Sequence, residues 1–177
     1  AEKKIGETGL SGDIGAEERG TIAKLVARAA LRFADLQNVR TTNYVFDLER
    51  FTSFEGKTGP YMLYAAVRIK SLLRRAREAG HEPGPVTIER DTERALVLAM
   101  DGFANALAQS HAKRQPHILC EHVYTLAQAF SALYADAPIA NEADAAVRAS
   151  RLGLCEAVLK QLETGLGILG IEAPDRM

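Results

Sequence analysis

The chain reads as an all-α protein, a helical bundle of about five or six helices with a C-terminal tail folded back on it. Three observations predict this. Hydrophobic residues make up 47% of the 177 residues but aromatics only 6%, and the alanine- and leucine-rich texture favours helices over strands. Apolar positions recur at spacings of three and four in one segment after another. Glycine and proline clusters fall between those segments, where helices stop and restart.

Taken in order, Asp13 to Gly15 precedes a periodic segment from Ala16 to about Leu36, with Ile22, Leu25, Val26, Ala29, Ala30 and Phe33 inward and Gly20 a potential break. Residues 37–46 are polar and β-branched and read as a connection, and Asp47 to Phe54 suits a short helix. Gly56 and Gly59 permit a tight bend, after which Pro60 sits harmlessly in a first helical turn. A long helix over 59–79 then places Met62, Ala65, Ala66, Ile69, Leu72, Leu73 and Ala76 on one broad face and ends at Gly80. His81-Glu82-Pro83-Gly84-Pro85 is a loop by composition. The next helix is expected to run unbroken from Asp91 to Ala112, burying Leu96, Ala99, Met100, Phe103 and Leu107. Gln115-Pro116 restarts the chain into a helix that buries Leu119, Val123, Leu126, Phe130 and Leu133 and stops at Asp136-Ala137-Pro138. Asn141 is the expected N-cap of the last helix, which buries Val147, Leu154, Val158 and Leu162 and ends around Gly165. The remainder, to Met177, is too apolar at Leu166, Ile168, Leu169 and Ile171 to be a free tail.

Charge narrows the function classes. With 22 basic and 23 acidic side chains the formal charge is -1, which argues against nonspecific coating of DNA. No apolar run is long enough to span a bilayer, and Ala1 to Gly12 lack the order of a secretory signal, so the cytoplasm is the expected compartment. Cys120 and Cys155 lie in separate helices and read as reduced packing residues. His117, Cys120 and His122 do not share one helix face, so no metal site is expected there.

The long helix carries a second pattern. Tyr61, Tyr64 and Arg68 form a row at spacings of three and four beside the apolar face, and Arg75 continues it. Tyrosines beside a core can be edge residues with wet hydroxyls. They can equally stack unpaired bases, with the arginine pairing phosphates or base edges. Arg68, Lys70, Arg74, Arg75 and Arg77 gather five cations on this helix, either a solvated face or, in part, a phosphate-contacting one.

The run Ser53-Phe54-Glu55-Gly56-Lys57-Thr58-Gly59-Pro60-Tyr61-Met62-Leu63-Tyr64, with Arg68 following, resembles the start of the C-terminal anticodon-binding domain, of DALR type, of arginyl-tRNA synthetase, a class I aminoacyl-tRNA synthetase. Asn43-Tyr44-Val45-Phe46-Asp47 resembles the family's lead-in, and Tyr124-Thr125-Leu126-Ala127-Gln128-Ala129-Phe130, with Tyr134, its penultimate helix. Ala149-Ser150-Arg151-Leu152-Gly153-Leu154-Cys155-Glu156-Ala157 is similar to its last helix, and Leu169-Gly170-Ile171-Glu172-Ala173-Pro174-Asp175-Arg176-Met177 to its C-terminus. Ordered matches of this kind across roughly residues 40 to 177 carry more than any one motif alone.

The resemblance implies an anticodon-binding helical domain over 41–177 and, over 1–40, the end of a segment linking a catalytic core to it. The implied partners are the anticodon arm of tRNA(Arg) and the N-terminal catalytic portion of the same enzyme, with no DNA and no membrane. Tyr61, Tyr64, Arg68, Arg75 and Met177 would be the RNA-binding residues, the terminal Met177 lying against the same bases as the tyrosines. The parent enzyme would join arginine to tRNA using ATP. The catalytic signatures of a class I synthetase do not occur in these residues, so the fragment is expected to be inactive alone and to hold no cofactor of its own. Gly56-Lys57-Thr58-Gly59 lacks the strand and glycine spacing of a phosphate-binding loop. Lys57, Leu63 and Ala66 stand where asparagine, glutamine and histidine are common in the family, which puts fine specificity in doubt. The alternatives are a helical domain that binds protein and a support domain without RNA affinity of its own.

Overall fold

The computed structural model describes residues 15–177, so the readings of Ala1 to Gly12 and of Asp13 fall outside the described residues. Among those described there are seven helices and no strand: α1 (Ala16–Leu36), α2 (Leu48–Phe51), α3 (Gly59–Glu78), α4 (Asp91–Asp101), α5 (Phe103–Lys113), α6 (His117–Asp136) and α7 (Ala145–Ile168). α3 is central, packing against α1, α6 and α7, while α4 and α5 cover the outside of α6. Ile22, Val26, Ala29 and Phe33 of α1 enter the same core as Met62, Ile69 and Leu73 of α3, so α1 belongs to the bundle's own packing.

Local chemistry sets the helix ends. Thr58 caps α3 by accepting from the Tyr61 N–H at 3.2 Å, and Arg75 and Arg77 in the last turn favour its negative end. Gly80, at φ 77, closes that helix with its N–H on Arg77 O (2.9 Å) and the His81 N–H on Ala76 O (2.9 Å). α7 ends the same way at Gly170 (φ 71), with the Ile171 N–H on Leu166 O at 2.9 Å. That turn sends the tail back, burying Leu169, Ile171 and Met177 and leaving Ile168 exposed.

Three expectations need correction. The helix expected over 91–112 is interrupted at Gly102, whose backbone stays near-helical (φ -65, ψ -14), and Phe103 just beyond it lies 5.4 Å from the His122 ring. A glycine inside a helix costs about 1 kcal/mol relative to alanine, so it yields to such a packing demand. α7 is capped by Asp144, which accepts from Ala146 and Val147, rather than by Asn141, and it runs past Gly165 to Ile168. Gly165 fits inside that helix because it faces the Val123 side chain, where a Cβ would crowd Cγ2. Gly20, finally, leaves α1 unbroken.

α1 crosses α3 closely at Gly59, where a Cβ would drive into the carbonyl of Ala29. Gly59→Ala is therefore expected to destabilise the protein by about 1–3 kcal/mol in urea unfolding. Gly20→Ala, at a helical glycine with open space around it, is expected to stabilise by about 0.5–1 kcal/mol. Equal midpoints for the two variants would contradict this packing.

Among the described residues no helix is long and apolar enough to cross a membrane. Cys120 and Cys155 are free and buried, and burial pushes both thiols up to about 12.

Candidate nucleic-acid interface

Three elements meet around the first turn of α3. The loop over 53–58 is held by the Thr58 hydroxyl, which donates to Ser53 O at 2.6 Å, and it bends at Gly56 (φ 72). Lys57 reaches across to pair with Glu121 of α6, clamping this loop against that helix. A hollow of about 570 Å³ lies between them, lined by Phe54, Glu55, Tyr61, Tyr64, Tyr124 and Gln128. That volume falls within the range of about 300–1,000 Å³ that small-molecule clefts occupy.

Its aromatic walls are braced rather than loose. Tyr61 shares a hydrogen bond with the Ser131 hydroxyl at 3.2 Å and meets Tyr124 edge to face at 6.0 Å. The Tyr124 hydroxyl in turn accepts from the Gln128 amide at 3.0 Å. Tyr64 accepts a hydrogen bond from Arg68, whose guanidinium carbon stands 4.4 Å from the Tyr64 ring centroid and 4.9 Å from that of Tyr134. A guanidinium held between two rings gains cation–π attraction on both sides. Side chains fixed in this way lose little further freedom when a flat ligand arrives.

Tyr61, Tyr64 and Arg68 are thus brought together, as the row on α3 predicts. Arg75 is not part of this hollow. It lines another, of about 300 Å³, beyond Tyr134. Met177 is 3% exposed in the core, and its neighbours are tied down on the far side of α3: Lys70 binds Ala173 O (3.1 Å) and Asp175 (3.0 Å), and Arg176 grips Glu18 with two 2.6 Å bonds. No residue of the C-terminal tail lines the tyrosine hollow. The side chain of Met177 packs into the core and does not line the tyrosine hollow.

The five-cation cluster also divides. Lys70 is neutralised by Glu163 and Asp175, and Arg77 by Glu156 and Glu82. Arg74 and Arg75 have only Ser71 as a hydrogen-bond partner and no acidic partner among the described residues. Leu63 and Ala66, two of the departures from the family pattern, are fully buried on the core face of α3 and lie outside the hollow.

Tyr124, Gln128 and Tyr134 are site residues that sequence reasoning did not select. Their signal was a polar row on α6, since Tyr124, Gln128 and Ser131 recur at spacings of four and three opposite an apolar face. Glu93 and Arg151 were also missed. The Arg151 guanidinium, 2% exposed, donates to Glu93 at 2.7 Å, to Pro138 O at 2.8 Å and to Glu142. Burial acts to raise the Glu93 carboxyl, but Arg151 and the N–H groups of Glu89 and Arg90 outweigh it and hold it below the ordinary carboxylate range.

Among the described residues no group of three or more His, Cys, Asp and Glu side chains is placed to hold a metal ion.

Residues 62–177 match the model of the family described as DALR anticodon binding domain. The chain is 63% identical over its whole length to the arginine–tRNA ligase of Hyphomonas neptunium and 58% identical to that of Maricaulis maris, and it spans 30% of the length of each. The solved arginyl-tRNA synthetase of Thermus thermophilus superimposes with a TM-score of 0.85 at 30% identity, covering 99% of this chain and 30% of that one. The Plasmodium falciparum arginyl-tRNA synthetase shares the fold, with a TM-score of 0.78 at 21% identity over 90% of this chain and 28% of that one.

Proposed function

We propose, since the chain belongs to the DALR anticodon binding domain family, that it recognises the anticodon loop of tRNA(Arg) as the C-terminal, RNA-reading portion of an arginine–tRNA ligase. The observation that carries this reading is the braced hollow of Tyr61, Tyr64 and Tyr124 beside the caged Arg68. Unpaired bases of an RNA loop are splayed from the stack and offer flat faces and polar edges. Tyr64 and Tyr61 supply stacking surface, Gln128 and Glu55 supply hydrogen-bonding groups for a base edge, and Arg68 fixes the Tyr64 ring. Arg75, without an acidic partner among the described residues, serves a phosphate.

The aminoacylation chemistry, with ATP and arginine, belongs to the part of the parent enzyme that this chain does not span. Val45, Phe46 and Leu48 are exposed, at 87%, 45% and 64%, next to Phe51, and this apolar set supports contact with that missing part. In this reading residues 1–40 end the connection to it, with α1 docked into the bundle, and the cytoplasm is the compartment that fits a translation enzyme.

A fluorescence titration of a tRNA(Arg) anticodon stem-loop at two salt concentrations tests the reading. Saturable binding that weakens as salt rises is expected, because each phosphate neutralised releases counterion. Absence of binding, or binding indifferent to salt, would contradict it and favour a support or protein-binding role.

A further inference from the structure

The hollow beyond Tyr134 has its own chemistry. Leu72 and Ile139, both 4% exposed, and Pro138 give it an apolar floor. The Tyr134 ring forms one wall, and Arg75 and Asn141 stand at its edge. The Arg75 guanidinium spends its Nε on the carbonyl of Ser71 at 3.3 Å, which leaves its terminal amino groups. The amide of Asn141 has no hydrogen-bond partner among the described residues and offers both a donor and an acceptor.

The wall segment is pinned, not slack. The buried Arg151 donates to Pro138 O at 2.8 Å and to the carboxylate of Glu142, fastening the chain on either side of Ile139, Ala140 and Asn141. Tyr134 also joins this hollow to the first one, since the Arg68 guanidinium lies 4.9 Å from its centroid and 4.4 Å from that of Tyr64. The Arg68 guanidinium and its two flanking rings therefore lie between the two hollows.

We propose that the hollow between Arg75, Tyr134 and Asn141 is a second nucleotide subsite, which takes the unpaired base next to the one held at Tyr64 and sets a phosphate on Arg75. The inference rests on the anticodon-loop reading above. The apolar floor and the tyrosine suit the faces of a base, Asn141 suits its hydrogen-bonding edge, and the cation suits the backbone between neighbouring nucleotides. An apolar side chain of a protein partner would use the floor but not the arginine.

The test titrates anticodon stem-loops carrying a single abasic nucleotide at each loop position in turn. The protein is the wild-type chain, Asn141→Ala, Arg75→Ala or Tyr64→Ala, each checked by its melting curve. Asn141→Ala is expected to weaken binding of the intact loop severalfold, and one abasic position should abolish that difference. That position should be adjacent to the one that abolishes the effect of Tyr64→Ala. Arg75→Ala should weaken all loops alike and lower the slope of log K against log salt by about 0.7. If Tyr64→Ala loses affinity while Asn141→Ala and Arg75→Ala match the wild type on every loop, the second subsite is overturned and the first stands. If the wild type binds no loop, or all variants bind as it does, both readings fall together.

Discussion

Replacing Tyr64 by alanine is expected to weaken binding of an arginine-tRNA anticodon stem-loop about tenfold or more, and replacing Tyr61 as well should bring the loss to about a hundredfold. A base stacked on an aromatic ring is worth about 1–3 kcal/mol, and each 1.4 kcal/mol is a factor of ten. Tyr64 carries a second burden, because its hydroxyl and ring hold one side of the Arg68 guanidinium. Its loss also frees Arg68 from a fixed position, so ordering that side chain again becomes a cost of binding. Tyr61 is anchored independently, through Ser131 and Tyr124 on α6. Both side chains are half-buried rather than core, so the variants should still fold, with melting temperatures within a few degrees of the wild type. Tyr64→Phe separates the two roles. It keeps the stacking face and loses the hydroxyl that meets Arg68, and it should retain most of the affinity. Unchanged binding by the double alanine variant would show that the hollow is not where bases sit.

The largest stability effect is expected at the buried ion pair. Removing one partner of such a pair leaves an uncompensated charge and costs about 3–5 kcal/mol. Arg151→Met strands the Glu93 carboxylate, which is 1% exposed, and releases Pro138 and Glu142 from the segment leading into α7. In a domain of this size, the loss corresponds to a fall in Tm of roughly 10 °C. Glu93→Leu combined with Arg151→Met should recover much of it, because an apolar pair of similar volume does not leave a buried charge unpaired. The pair also sets an acid limit. The Glu93 carboxyl sits below its unfolded value of about 4.5, so its contribution is present above that pH and is lost as pH falls through the lower, folded value. Thermal unfolding followed by circular dichroism should show Tm dropping on acidification below about pH 4.5, with a shallower drop in Glu93→Gln. A parallel pH profile in the two proteins would contradict this origin of acid sensitivity.

How much of this was legible depended on the range of the interactions involved. α1 and α3 could be read from periodicity because their buried faces are wide and local signals mark the ends of α3: Gly56, Gly59 and Pro60 at its start and Gly80 after it. The Tyr61, Tyr64 and Arg68 row was legible for the same reason, since one helix sets its spacing. The interruption at Gly102 was not, because it accompanies the contact of Phe103 with a histidine from another helix. Asn141 and Asp144 are equally good caps by type, and the choice follows from Arg151 fixing the chain at Pro138 and Glu142. Lys70 looked like part of a phosphate-binding cluster because Glu163 and Asp175, its partners, are far along the chain. Tyr124 and Gln128 could be placed in the hollow only once α6 was seen lying beside the loop over 53–58.

In the proposed function, the braced tyrosine hollow reads a base of the anticodon rather than only holding an RNA backbone. The most direct measurement compares the affinity of the wild-type chain and of Tyr64→Ala for the native tRNA(Arg) anticodon stem-loop and for the same loop with its middle anticodon base changed. The wild type is expected to prefer the native loop by about tenfold, and Tyr64→Ala to bind both loops equally and weakly. Equal affinity of the wild type for the two loops, or a preference that survives in Tyr64→Ala, would contradict it.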